Sequence, residues 1–567
     1  MEVGKLAKYL NQLEETRSRL KITEILAQLL RETREKDVDK VSYLLLGVLA
    51  PQYKGVVFNL AERMMINVLA KAYDQQPETI VKQYKELGDI GLVAQQYAHA
   101  KRSKMLVSEL YDELLLIAKY EGEGSVERKI DRLAKLISQL DPLSVHFIAR
   151  IPLGKLRLGF SDKTIIEALS WMETGDKSLR SDIEEAYNIR PDIGYVASLV
   201  KKYGAKQLST KVTPQIGTPI VPMLAQRLKS PEDMIQKMGE VSIEPKFDGL
   251  RVVIHYQRGK PTKAFSRNMN EISDMFPELQ KLDQQLDAKE VILDSEAIGF
   301  DPKTKRLFDF QMTMQRRRKH NIDQTSREIP LTFQVFDLLY KDGESTLQDE
   351  YFVRRRKLED TVNPGKPLQI DESTVTSDPE VIRLKHLEYL KKGLEGVIVK
   401  KNNSQYVSGR TGWRWVKMKE IEDARGKLVD TVDCVIMGYT SGKGKRTSFG
   451  IGQFLVGVRK NDKFLTVSKV GTGLTDTQFR ELAKRLRKLT TKQKPKEYEV
   501  HKDLEPDYWV FPEVVVELAA DEITVSPKHT AGLALRFPRL IGFRDDKSPR
   551  EATTLAEFNH LAKLALS

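Results

Sequence analysis

Pro214, Gly217, Pro219 and Pro222 crowd one short stretch of QLSTKVTPQIGTPIVPMLAQR, and no helix can run through it. The hydrophobic pattern changes across this break. Before it the chain reads as helix almost throughout: in KITEILAQLLRE, Ile22, Ile25, Leu26, Leu29 and Leu30 keep the i, i+3, i+4, i+7, i+8 spacing of one helical face. LGFSDKTIIEALSWM puts Ser161 or Asp162 at a helix N-cap, with Gly175 as the stop. After the break, VSIEPKFDGLRVVIHYQRG, EVILDSEAIGF, LTFQVFDLLY and LEGVIVKK are short β-rich runs, an α/β or α+β pattern. From near Asp430, VDCVIMGY, QFLVGVRK, KFLTVSKV and PEVVVEL read as strands, with the helix DTQFRELAKRLRKL among them. That is the pattern of a small β-barrel, an OB-fold first among the candidates.

The expected architecture is therefore multidomain. An all-α region covers residues 1–215, an α+β region 216–424 and a C-terminal β-barrel 425–567, in keeping with the three to four domains that 567 residues suggest. Lys and Arg number 93 against 80 Asp and Glu, so the net charge is 93 − 80 = +13, which favours a polyanionic partner such as nucleic acid. The single cysteine, Cys434, excludes an intramolecular disulfide and any four-cysteine zinc site, and suits a reducing cytosol. No stretch approaches the ~20 apolar residues of a membrane helix, and the N-terminus begins an amphipathic helix with no signal-like apolar segment. A cytoplasmic location without membrane contact is expected.

The segment with most chemistry is Glu244-Pro245-Lys246-Phe247-Asp248-Gly249-Leu250-Arg251. A bare K-x-D-G occurs by chance as a β-turn with a solvated lysine. Here a strand precedes it, another follows, and Glu244 and Arg251 flank it with opposite charges. Lysine attacks as an amine only when neutral, and its reference pKa is about 10.4. Burial or nearby cations favour the neutral form, and Arg251, Arg267, Lys400, Lys417 and Lys419 are candidate cations that also suit a triphosphate.

With these residues in view, the sequence resembles the ATP-dependent DNA ligases of the covalent nucleotidyltransferase superfamily, in the three-domain form of archaea and eukaryotes. The resemblance covers essentially the whole chain and rests on six motifs in order. It implies that Lys246 becomes adenylylated and that Glu244 faces the adenine amino group. Arg251 and Arg267 (in FSRNMNEI) match arginines on the ribose or phosphate side of the nucleotide. Glu296 in LDSEAIGF matches a carboxylate near ribose and metal, and Phe336 in VFDLLY the aromatic that stacks on adenine. Glu395 in LEGVIVKK matches a carboxylate placed for Mg²⁺, reached directly or through water, and Lys417 and Lys419 in WRWVKMK the paired lysines at the α-phosphate. Arg536 and Arg539 in LRFPRLIGF would approach the pyrophosphate. Where relatives carry a basic residue before the WxWxKxK run this chain has Thr411, and Arg410, the favoured substitute, or Arg414 would replace it.

The implied activity is sealing of 5′-phosphate/3′-hydroxyl nicks with ATP and Mg²⁺, through lysyl-AMP and an adenylylated DNA end, in replication, repair and recombination. The implied setting is a monomer at the nucleoid. In the helical region, IPLGKLRLGFSDKTIIEAL resembles the family's DNA-binding domain, with Gly154, Arg157 and Gly159 before a helix start that suits a phosphate. A sliding clamp is a partner the family often uses, though AKRSKMLVSELYDEL lacks a paired-aromatic docking motif. The runs Arg316-Arg317-Arg318-Lys319 and Arg354-Arg355-Arg356-Lys357 read as solvated faces or phosphate contacts. The rivals are an RNA ligase or an mRNA-capping guanylyltransferase, which share the K-x-D-G chemistry, and a non-catalytic DNA-binding protein on the same fold.

Overall fold

The computed structural model describes residues 1–99, 104–156, 158–228, 230–304, 306–308, 310–316, 322–409, 412–419, 431–442, 449–471, 474–520 and 522–566. It divides into one unit of Met1–Gln83 with Ile90–Glu420, and a second of Ile421–Ser567 with Tyr84–Asp89.

The first unit begins with helices, as the periodicity predicts. Helix Arg19–Glu32 buries Ile22, Ile25, Leu26, Leu29 and Leu30, and Ser18 caps it by accepting from the Lys21 N–H. Helix Asp162–Thr174 has Ser161 as its N-cap residue and ends at Gly175, whose φ of 76° is the left-handed turn that only glycine adopts cheaply. Of the two N-cap candidates the structure selects Ser161.

Past the Pro/Gly stretch, two sheets form. Five strands line up as β1 (Gln226–Arg227), β11 (Trp415–Lys419), β10 (Gly396–Lys401), β2 (Val241–Lys246) and β9 (Thr374–Thr376). A six-stranded sheet runs β4 (Lys263–Ser266), β3 (Leu250–Gln257), β5 (Glu290–Gly299), β6 (Leu331–Lys341) and β7 (Glu344–Ser345), with β8 (Leu368–Ile370) parallel to β6. The two-residue period of a strand assigns the faces. In the five-stranded sheet Val241, Ile243, Val397, Val399 and Val416 pack into one core with Ile382 and Tyr389 of helix Pro379–Lys391. The alternate residues Glu244, Lys246, Ile398, Lys400, Trp415 and Lys417 line a cavity instead. The six-stranded sheet is apolar on both sides: Val252 and Ile254 serve one cluster, Val253 and Ile292 another.

That second cluster also takes in Tyr53, from a short turn of the helical region, packed with Ile220, Val253 and Phe265. Gln52 beside it donates to Asn270 at 3.0 Å, and Lys54 lies 3.6 Å from the buried Asp192. Helical block and β-sheets thus share one core.

The second unit is β-rich. β12 (Val432–Thr440), β13 (Gln453–Lys460) and β14 (Lys463–Val470) form an antiparallel meander. Strand Val515–Ala519 pairs antiparallel with β12, and strand Arg539–Phe543 pairs antiparallel with Val515–Ala519. Helix Asp476–Lys488 packs Leu482 and Leu486 on the core, which also encloses Cys434. Among the described residues no helix is long and apolar enough to cross a membrane.

Candidate active site

Strand β2 sets the site. Glu244 and Lys246 are two residues apart, so their side chains share a face about 7 Å apart along the strand. Antiparallel pairing puts Lys246 opposite Gly396 and Glu244 opposite Ile398, and Ile398 in turn sits opposite Lys417 of β11. Two glycines make this close packing feasible. A Cβ on Gly249 would stand 2.5 Å from the Ala297 carbonyl oxygen and 2.9 Å from Glu296 Cγ; one on Gly396, whose φ is +132°, would stand 2.3 Å from the Met418 carbonyl oxygen. The glycine of K-x-D-G therefore lets the turn after Lys246 lie directly on β5.

The two sheets enclose a cavity of about 350 Å³, within the size range of small-ligand sites. Glu244, Lys246, Arg251, Arg267, Glu296, Phe336 and Lys417 all line it. Arg267 is exposed at its edge.

At one end Glu244 is 1% exposed. The Tyr351 hydroxyl donates to Oε1, Lys400 Nζ lies 2.5 Å from Oε2, and Arg355 Nη1 is 3.9 Å from Oε1. Lys400 also donates to the Phe336 carbonyl at 2.9 Å and stands over the Phe336 and Trp415 rings at 4.8 and 4.6 Å. Phe336 meets Trp415 edge-on, with centroids 5.9 Å apart. This end offers an aromatic face beside a carboxylate whose charge is compensated.

At the other end the Lys246 ammonium is ion-paired with Glu395. Glu296 faces Arg251 across the β3–β5 ladder. Burial is the main cause that pushes the Glu296 carboxyl up to about 7; Lys246 and Arg251 pull it down, while Asp294 and Glu395 add to the rise. Glu296 and Glu395 are thus two oxygen donors within the field of one lysine. Among the described residues no group of three or more His, Cys, Asp or Glu could hold a metal. Two carboxylates nonetheless fit Mg²⁺, which commonly keeps several waters.

Some expected cations are already engaged. Arg251 grips Asp294 with Nε at 2.9 Å and Nη2 at 2.6 Å and donates to the Met223 carbonyl at 2.6 Å. Its guanidinium lies over Phe336 at 5.5 Å and Trp415 at 5.8 Å. Lys417 projects from β11 into the cavity wall, while of Lys419 only the backbone is described, opposite Gly396. Arg410, Thr411 and Arg157 lie outside the described residues, as does 420–430. Arg414 lines a different cavity, with Lys237, Lys401 and Trp413. In the second unit Arg536 and Arg539 are exposed on either side of Phe537, whose φ is +52°.

One arginine of each basic run corrects the sequence reading, while Arg356 is exposed as expected. Arg354 is wholly buried, with Nε and Nη2 each 2.8 Å from Asp337 and Nη1 on the Asp349 and Ser404 carbonyls. Arg316 is buried too, donating to Glu278 and the Met275 carbonyl. Neither is a solvated face or a phosphate contact; Arg317, Arg318 and Lys319 lie outside the described residues. Sequence reasoning also missed Asp371, Tyr351 and Arg355. Only the aromatic and basic character of YFVRRRKLE hinted at the last two, and nothing marked Asp371.

Comparison with known proteins bears on this geometry. The model of the ATP dependent DNA ligase domain matches residues 222–419, that of the DNA ligase N terminus residues 2–170, and that of the ATP dependent DNA ligase C terminal region residues 447–547. A "Probable DNA ligase" of Dictyoglomus turgidum is 40% identical, covering 98% of this chain and 97% of its own. A "DNA ligase" of Pyrobaculum arsenaticum is 37% identical over 99% and 98%. A solved structure called Pmar-Lig_Pre covers 95% of this chain and 99% of its own with a TM-score of 0.55 at 17% identity, a likeness of fold.

Proposed function

The chain belongs to the ATP-dependent DNA ligase family, whose general function is nick sealing, and from that premise we propose that Lys246 is the residue that carries AMP. The observation that carries the proposal is the pairing of Glu244 and Lys246 on one face of β2, inside a cavity sized for a nucleotide. Adenine lies at the Glu244 end against Phe336, and the α-phosphate at the Lys246 end beside Lys417; the resemblance assigns nucleotide contacts to Lys419 and Arg410 as well.

In the first transfer the Lys246 amine, having lost its proton and exchanged Glu395 for substrate, attacks the α-phosphorus. A P–N bond forms, the bond to pyrophosphate breaks, and the energy of ATP is stored covalently. The 5′-phosphate of a nick then attacks the AMP phosphorus and releases Lys246. Finally the 3′-hydroxyl displaces AMP from the adenylylated end. Lys417 and the edge arginine Arg267 offset negative charge on the phosphoryl oxygens as each bond is exchanged. Glu296 and Glu395 would hold Mg²⁺, directly or through water, and the ion supplies further charge neutralisation there. Arg251 acts on the nucleotide's ribose side while anchored by Asp294.

The domain limits we assign are 1–215 for DNA binding, 216–424 for nucleotidyl transfer and 425–567 for an OB-type barrel. The β12–β13–β14 meander and the antiparallel pairings of Val515–Ala519 and Arg539–Phe543 support the last of these. The partner is nicked duplex DNA, bound by a monomer.

Incubation with α-labelled ATP and Mg²⁺, then denaturing electrophoresis, tests the assignment. The wild type takes label; Lys246→Ala and Lys246→Arg take none while melting within a few degrees of wild type. Arginine fails because guanidinium stays protonated. A labelled Lys246→Ala protein defeats the proposal, and label from GTP rather than ATP points to capping chemistry.

A further inference from the structure

Asp371 follows β8, whose Ile370 pairs with Val335, the residue before Phe336. It is 4% exposed and forms part of the cavity wall with Glu244 and Lys400. Arg355 fixes it: Nη1 donates to Oδ1 at 2.7 Å, and Nη2 to its carbonyl at 2.5 Å. Its N–H donates to the Val335 carbonyl at 3.3 Å. Arg355 takes up Oδ1, and Oδ2 is the other oxygen of this carboxyl.

The neighbouring charges distinguish the two carboxyls. Glu244 receives the Tyr351 hydroxyl and stands beside the Lys400 ammonium. Asp371 is pushed well above the ordinary carboxylate range by burial and then by the charge of Glu244, against the pull of Lys400 and Arg355. Tyr351, Tyr389 from helix Pro379–Lys391 and the adjoining Glu372 are further titratable neighbours. Burial and the charge of Glu244 both favour the protonated form of Asp371. The wall therefore presents an acceptor, Glu244, next to a donor, the Asp371 hydroxyl. Adenine's edge carries the complement, the N6 amino donor beside the N1 acceptor. Guanine reverses the order, with O6 accepting and N1–H donating.

We propose that Asp371 is a specificity-determining residue for adenine, donating from Oδ2 to N1 while Glu244 accepts from the N6 amino group. The inference rests on the cavity being the ATP site. A guanine there would set O6 against the Glu244 carboxylate and N1–H against the Asp371 hydroxyl, leaving both pairs mismatched.

The test is competition. Unlabelled 1-deaza-ATP, which lacks the N1 acceptor, 7-deaza-ATP and ATP compete against α-labelled ATP for self-labelling of the full chain. With wild type, 1-deaza-ATP should compete about 10- to 100-fold less well than ATP, the size of a lost buried hydrogen bond, and 7-deaza-ATP about as well as ATP. Asp371→Asn, whose amide donates to N1 and accepts from Arg355, should keep that discrimination; Asp371→Ala should largely lose it. Equal competition by 1-deaza-ATP and ATP on wild type overturns the proposal without recourse to any variant. So does an Asp371→Ala protein that still discriminates, or a base whose weak analogue is the 7-deaza one. Failure of wild type to take label from ATP would instead overturn the reading of the cavity itself.

Discussion

Single residues show how far a side chain's type predicts its task. Lys246 and Glu244 were legible from the K-x-D-G motif with its flanking strands and charges, and two-residue spacing on β2 then gives them a shared face. The carboxylate partners of the cations were not. Arg251 and Lys400 stand out in the sequence as free charge, yet each is held by an acid far along the chain, Asp294 and Glu244. Arg354 is the clearest case: a run of basic residues looks the same whether it meets water or a buried acid. Its pairing with Asp337, both side chains wholly buried, predicts that Arg354→Met destabilises the first unit by about 3–5 kcal/mol, because a lone buried carboxylate remains. The double change Arg354→Met with Asp337→Leu should restore much of that loss. Urea unfolding of the wild type and the two variants measures it, and a mild single variant would argue against an intact buried pair.

Strands and helices were easier to read than their neighbours. Each run read as β-rich became a strand, and the capping signals at Ser161 and Gly175 sit where the helix starts and stops. What periodicity does not carry is which strands share a sheet. Parallel pairing of β8 with β6 sets Asp371 beside Glu244, and this follows from tertiary packing alone. Within β3 the same packing seals His255 completely; its Nδ1 accepts from the Gly217 N–H at 3.2 Å and its ring meets Phe265 edge-on. Burial, helped by the charge of Lys263, lowers the imidazole from 6.5 to about 3. The unfolded chain then binds a proton between those values that the folded chain refuses, so this contribution is fully present above about 6.5 and lost as pH falls toward 3. Stability should drop by up to about 1.4 kcal/mol per pH unit in that window from this group alone. His255→Asn, which keeps an acceptor for Gly217, should show a correspondingly shallower acid slope in melting experiments even if its Tm at pH 7 is lower. Parallel slopes for the two proteins would mean that His255 titrates normally.

At the scale of the whole molecule, charge is the feature from which DNA binding is predicted. With a net +13 and a substrate defined by a broken backbone, binding should lean on phosphates more than on base edges. Affinity for a nicked duplex, followed by fluorescence anisotropy, should fall by orders of magnitude between about 50 and 200 mM salt and change little when the flanking sequence is altered. A shallow salt dependence with strong sequence preference would contradict this. The division near residue 215, drawn from prolines and glycines, marks a change of secondary structure and not a separation of cores. Tyr53, with Ile220, Val253 and Phe265 around it, belongs to the hydrophobic interior of the β-sheets while being encoded among the helices. The two segments are consequently not interchangeable cassettes. A chimera that grafts the helical segment of one relative onto the β-sheets of another must transplant the turn at Gln52–Lys54 together with the hollow that receives it, or it begins life with a hole in its sheet core.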